Sequence, residues 1–129
     1  MDANLLEKYN VKAAVPVNAS GGVTGPRISM ANHRRIAFLV ILATATSATA
    51  NTVSLKQHDA PSSGNSKALE VTNPYYHKID TAELFTKVDV ETAEDEFDVH
   101  SLVGDDQAVL GFEVLAEDLD RENGFDHVS

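Results

Sequence analysis

The chain of 129 residues contains no cysteine and no tryptophan. Without cysteine, disulfides and thiolate metal sites are excluded. Aromatic residues make up 6% of the chain, so each tyrosine and phenylalanine stands out as a candidate anchor. Long apolar runs are also missing. The strictly apolar stretch from Ile36 to Ala43 is followed by Thr44, Thr46, Ser47 and Thr49. A membrane-spanning helix needs about 20 mostly apolar residues, so no membrane partner is expected. No long amphipathic helix stands out, and no internal repeat is visible.

What is present points to β structure. Valine, threonine, glycine, asparagine and serine recur throughout, and β-branched residues favour strands. Strands are expected at Val11–Val17, Arg27–Met30, Ile36–Ala43, Val53–His58, Lys67–Val71, Leu84–Val90, Phe97–Leu102, Ala108–Ala116 and Phe125–Val128. Pro16 marks a strand edge or end. Turn signals lie between them, including Gly25-Pro26, Asn73-Pro74 and Asn123-Gly124. Short strands at roughly 8–12-residue spacing predict a single all-β antiparallel sandwich or barrel-like domain. That domain is expected over 11–129, behind an N-terminal arm over 1–10.

The stretch Arg34–Val53, "RRIAFLVILATATSATANTV", admits two readings. Read from Met30 it has the basic, apolar and A-x-A zones of a secretory signal. It lies behind material that itself reads as structured, and Ile36, Val40 and Ile41 are β-branched. The strand reading is therefore preferred: a central core strand buried on both faces. Ala43–Thr52 would be the connection, and Val53 onward its partner in a hairpin-like pair.

Charge is uneven. Before Asp80, eight Lys and Arg face four Asp and Glu; from Asp80 onward two face sixteen, giving the net −10. The acidic half argues against direct nucleic-acid binding. The asymmetry suits either a solvated acidic surface or copies meeting head to tail.

Candidate chemistry is thin. Asp118–Gly124 has the look of a calcium loop, but glycine falls at position seven rather than six, so a turn between the last strands is expected. The five histidines, His33, His58, His77, His100 and His127, lack the i, i+4 metal spacing and read as surface or loop residues. There is no G-x-S-x-G elbow, no G-x-G-x-x-G and no Walker motif. No catalytic residue, metal ligand or cofactor is expected, and the chain does not read as an enzyme. Tyr75-Tyr76 is a candidate interface anchor. The alternative puts one ring in the core and the other over a loop.

Two segments carry a resemblance. "TVSLKQHDAPSSGNSKAL" (Thr52–Leu69) and "FEVLAEDLDRENGFDHVS" (Phe112–Ser129) are similar to patterns of small virion proteins of tailed bacteriophages. The first follows strand, Q-[AH]-[DN]-A, small-residue loop, K-x-L. The second follows E-V-x-x-[ED]-x-L-D-x-x-x-G-F-x-x-V. The resemblance implies a capsid decoration, or cement, protein on the outer capsid surface, with the major capsid protein as partner. It also implies a homo-oligomer, a trimer by preference. A head–tail connector or tail component is the alternative, and a secreted β-domain comes third. Candidate contact residues are Leu5, Leu6 and Tyr9 on the arm, Arg34 and Arg35, and the Tyr75-Tyr76 pair.

Overall fold

The computed structural model describes residues 23–42, 52–99 and 107–129. Its strands are β1 (Ile28–Ser29), β2 (Arg35–Leu42), β3 (Thr52–Ser54), β4 (Lys56–His58), β5 (Ser66–Ala68), β6 (Tyr75–Ile79), β7 (Thr86–Val88), β8 (Glu96–Asp98), β9 (Ala108–Leu115) and β10 (His127–Val128). Two short 3-10 turns, Ala116–Asp118 and Arg121–Asn123, connect β9 to β10. All the strand pairs are antiparallel. One sheet has the order β1-β10-β4-β5, a second β2-β9-β6-β7, and β3 pairs with β8. The sheets pack together as the expected all-β, sandwich-like domain. Among the described residues no helix is long and apolar enough to cross a membrane.

The long strand β9 organises the core. Its alternate residues Ala108, Leu110, Phe112 and Val114 are all buried. That period of two follows from side chains pointing to opposite faces of a pleated strand. Tyr75 on β6 and Phe97 on β8 meet Phe112. Tyr75 stacks on Phe112 with centroids 5.4 Å apart, and Phe97 lies 4.9 Å from Tyr75 and 4.8 Å from Phe112. This trio fastens the β3–β8 pair to the second sheet. Met30, Leu55, Leu69 and Val128 bring the first sheet onto the same core.

Two expectations about the Arg34–Val53 stretch need correction. The apolar run forms a strand, but not a central one buried on both faces. Within the described residues β2 ends its sheet and pairs only with β9, in unbroken register from Arg35↔Leu115 to Leu42↔Ala108. Ile36, Phe38, Val40 and Leu42 pack on the core, while Leu39 and Ile41 are 69% and 80% exposed. An unbroken apolar run hides the alternation that would reveal two different faces. Nor does the Val53 segment pair with it. That segment breaks at Leu55 into β3, which pairs with β8, and β4, which pairs with β10 and β5. Leu55 is buried at the break, where its carbonyl accepts from the Leu69 N–H at 2.9 Å. The expected strand at Val11–Val17 and the Met1–Asn10 arm lie outside the described residues, as does the Ala43–Thr52 connection apart from Thr52, which begins β3.

The loop Asp59–Asn65 joins β4 and β5 and is held from within. The Asp59 carboxylate accepts from the Asn65 backbone N–H and from Asn65 Nδ2, each at 2.7 Å. Gly64 turns the chain at φ 82°, where a Cβ would collide with the Asp59 carboxylate. Only glycine enters that left-handed region without penalty.

The core assignment makes a contrast testable by urea unfolding. Phe112→Ala removes the shared partner of two rings and should cost about 3–5 kcal/mol. Leu84→Ala, at a position 81% exposed, should change stability by no more than about 0.5 kcal/mol.

Candidate interaction surface

The two segments that carry the virion resemblance lie far apart in sequence but meet in one sheet. β4 and β5 come from the first, β10 from the second, and β10 pairs with β4. Side chains reinforce the join. Gln57 is buried; its Nε2 donates to the Ala68 carbonyl at 3.2 Å, and its Oε1 accepts from the Asp120 N–H at 2.8 Å. Lys67 pairs with the Asp120 carboxylate and lies 4.4 Å from the Phe125 ring centroid. The motif residues therefore maintain the sheet.

His58 is the centre of this join. It is 3% exposed, against the expectation of a surface or loop histidine. Its Nδ1 lies 2.6 Å from Ser66 Oγ and its Nε2 lies 2.8 Å from Ser129 Oγ. Both ring nitrogens are thus satisfied although the ring is buried. Burial pushes its pKa below the ordinary value, and the positive charges of Arg27 and Lys56 push the same way. Arg27 also donates to the Ala60 carbonyl at 2.8 Å and to Ser66 Oγ at 3.1 Å, so one guanidinium clamps the β4–β5 loop. His77 and His127 are half-buried in β6 and β10, His33 is exposed, and His100 lies outside the described residues.

The acidic run Asp118–Gly124 is the connection between β9 and β10. Asp118 and Asp120 are engaged by neighbours, while Glu122 is exposed. Asp118 accepts from the Leu115 N–H and from Asn73 Nδ2, each at 2.8 Å. Asp120 accepts from Asn123 Nδ2 at 2.9 Å as well as pairing with Lys67. Gly124 closes the second turn at φ 85°. Among the described residues, no group of three or more metal-type side chains gathers.

The predicted contact residues separate. Tyr75 is buried in the aromatic trio, while Tyr76, its neighbour, points to the outer face and is 37% exposed. The alternative of one ring in the core holds for Tyr75, but Tyr76 stands on the sheet beside Gly111 and not over a loop. Arg34 and Arg35 are exposed where β2 begins, and Arg35 lies 3.5 Å from Glu113 in an exposed pair. Such a pair contributes little to stability. Leu5, Leu6 and Tyr9 lie outside the described residues. Among the described residues, the Arg34–Arg35 pair and Tyr76 do not form one site.

It instead exposes residues that sequence reasoning missed. Leu39 and Ile41 stand on the outer face of the second sheet, beside Gly111 and Tyr76 in the register. Leu84 and Phe85 stand out at 81% and 49% on the β6–β7 loop. That loop follows Ile79, which pairs with Ala108, and Ala108 also pairs with Leu42. The exposed end of β2 and the Leu84–Phe85 loop therefore share one end of the sheet. β2 and β7 are opposite edges of this sheet, with β9 and β6 between them, so the two exposed apolar pairs are separate features. No family model, curated protein or solved structure matches the chain.

The buried His58 gives a pH prediction. Its folded pKa lies below the unfolded value of 6.5, so the unfolded chain binds the proton first. Stability from this group is fully present above about pH 6.5 and declines as pH falls through that value towards the lowered one. Melting temperature measured from about pH 8 down to about pH 5 should be flat and then fall. His58→Gln should lower the plateau and flatten the fall.

Proposed function

We propose that this chain is a structural virion protein that decorates a bacteriophage capsid and stabilises it by bridging neighbouring major capsid subunits. The observation that carries the reading is the pair Leu84 and Phe85, held out at 81% and 49% exposure on a loop between paired strands. An apolar tip on an antiparallel scaffold is a means of gripping a protein surface. The resemblance of Thr52–Leu69 and Phe112–Ser129 to small phage virion proteins supports the same reading. So does the use of those segments to hold one sheet together, which suits a protein whose task is mechanical.

The mechanism is multivalent. Each copy would insert its loop tip between capsid subunits, and many weak contacts would add up over a closed shell. Binding that favours the intact shell raises the shell's stability through mass action. The acidic surface of the later half would stay in solvent or meet basic capsid patches. On this reading the protein lies on the outer capsid surface, acts as a homo-oligomer, and performs no catalysis.

Purified particles test the proposal. Particles carrying the protein should resist heating better than particles without it, and gel densitometry should find copies in the hundreds. The double variant Leu84→Ser, Phe85→Ser should lose capsid affinity by at least about tenfold, because each apolar side chain contributes about 1.5–3 kcal/mol when buried. A copy number matching a single vertex ring would replace decoration by a connector role. Equal melting of both particle types would overturn the decoration reading.

A further inference from the structure

We propose that β2 is a self-association edge: it pairs antiparallel with β2 of a second copy, about a two-fold axis through Leu39. The proposal concerns the protein alone and does not depend on the capsid reading.

Among the described residues the edge lacks the usual protection. Among the described residues β2 is bonded on one side only, to β9, through a register with no bulge. Edge strands are normally guarded by lysine, proline, a bulge or shortness. β2 is eight residues long, and from Ile36 to Leu42 it carries no charge and no proline. Leu39 and Ile41 remain 69% and 80% exposed on its outer face.

Charge selects a second copy rather than a charged partner. The chain carries a net −10, so two copies repel over most of their surfaces. The neutral strand is where like copies approach at least cost, and it offers no charge for an oppositely charged partner to recognise. Charge also selects the direction. A parallel pair would set Arg34 and Arg35 beside their own copies, where like charges destabilise a sheet. An antiparallel pair sends them to opposite ends.

Register follows from the pleat. Cross-strand neighbours lie on the same face, so a two-fold axis must pass through a residue and not between two. An axis at Leu39 sets Leu39 opposite Leu39, Ala37 opposite Ile41, Phe38 opposite Val40 and Ile36 opposite Leu42. Every pair from Ile36 to Leu42 is apolar, and Arg35 falls beyond the end of the partner strand. An axis at Phe38 would set Ile41 against Arg35, and one at Val40 would leave Ile36 and Ala37 with no partner inside β2. The result is a continuous eight-stranded sheet across two copies, held by backbone hydrogen bonds at the join.

The test uses the full chain in sedimentation velocity with single-residue probes. The wild type should be dimeric. Ile41→Lys, at a site 80% exposed, should keep its circular dichroism and weaken the dimer by at least about tenfold. The chain has no cysteine, so an added one reports without background. Leu39→Cys should oxidise to a linked dimer, since directly opposed residues fall within disulfide reach. Ile41→Cys should not, because its two copies would lie about 13 Å apart. Raising salt from about 0.05 to about 0.5 M should strengthen the dimer by screening like charges. A wild-type monomer or trimer would overturn the proposal. So would cross-linking at Ile41 in place of Leu39, or dissociation in salt, which would mark head-to-tail association of the basic and acidic parts.

Discussion

The inward face of β9 is the element from which the rest of the domain is hung. Four of its alternate residues are buried, and Phe112 among them touches both Tyr75 and Phe97. Its backbone bonds to β2 on one side and β6 on the other, so it fixes the register of the second sheet. The same strand runs on through Ala116 into the 3-10 turns that deliver β10 to the first sheet. One strand thereby sets one sheet directly and the other through its connection. With no disulfide available, apolar burial around this strand must supply most of the stability.

This arrangement explains how far the sequence could be read. β9 was legible because its ends are marked by turns and its interior is β-branched and aromatic. The all-β class was legible for the same reason: turn dipeptides at short intervals leave no room for long helices. Pairing was not legible. The sequence pattern favours the next segment as the partner of β2, whereas its partner lies about 70 residues away, as the Phe38↔Phe112 register shows. Neighbour pairing is the better guess for hairpins, but a connection through Leu55 gives the chain a different route. Composition also misled at Ile36–Ala43. Eight apolar residues are equally consistent with a strand covered on both faces and with one whose outer face awaits a partner.

The candidate surface was the least legible part, for a related reason. Sequence patterns single out tyrosines and arginines as contact residues because of their general enrichment at interfaces. Here Tyr75 is needed as a core ring, since a chain with 6% aromatics has few others to fill that space. Leu84 and Phe85 gave no signal, because their alternation in "LFTKVDV" resembles that of any half-buried strand. Only the shortness of β7, which begins at Thr86, leaves them on the loop. His58 was misjudged in the other direction. Its sequence neighbours are polar, but its ring nitrogens meet Ser66 and Ser129, which are distant in the chain.

A division of labour between the two sheets follows. In the first sheet, polar residues are turned inward on one another: Arg27 on Ser66, His58 on Ser129, Gln57 and Lys67 on Asp120. These groups are already matched, so they have little to offer a partner. In the second sheet the outer face carries apolar side chains that the fold leaves in water. Leaving them there costs solubility, and a net charge of −10 offsets that cost by keeping copies apart in general. The same charge makes specific contact harder, because any approach must overcome it. Contact is then favourable only where charge is locally absent and many weak bonds form together. The β2 edge from Ile36 to Leu42 meets both conditions, whereas the Leu84–Phe85 tip has Asp80 and Glu83 beside it, so any partner there must accommodate acidic charge as well as apolar surface.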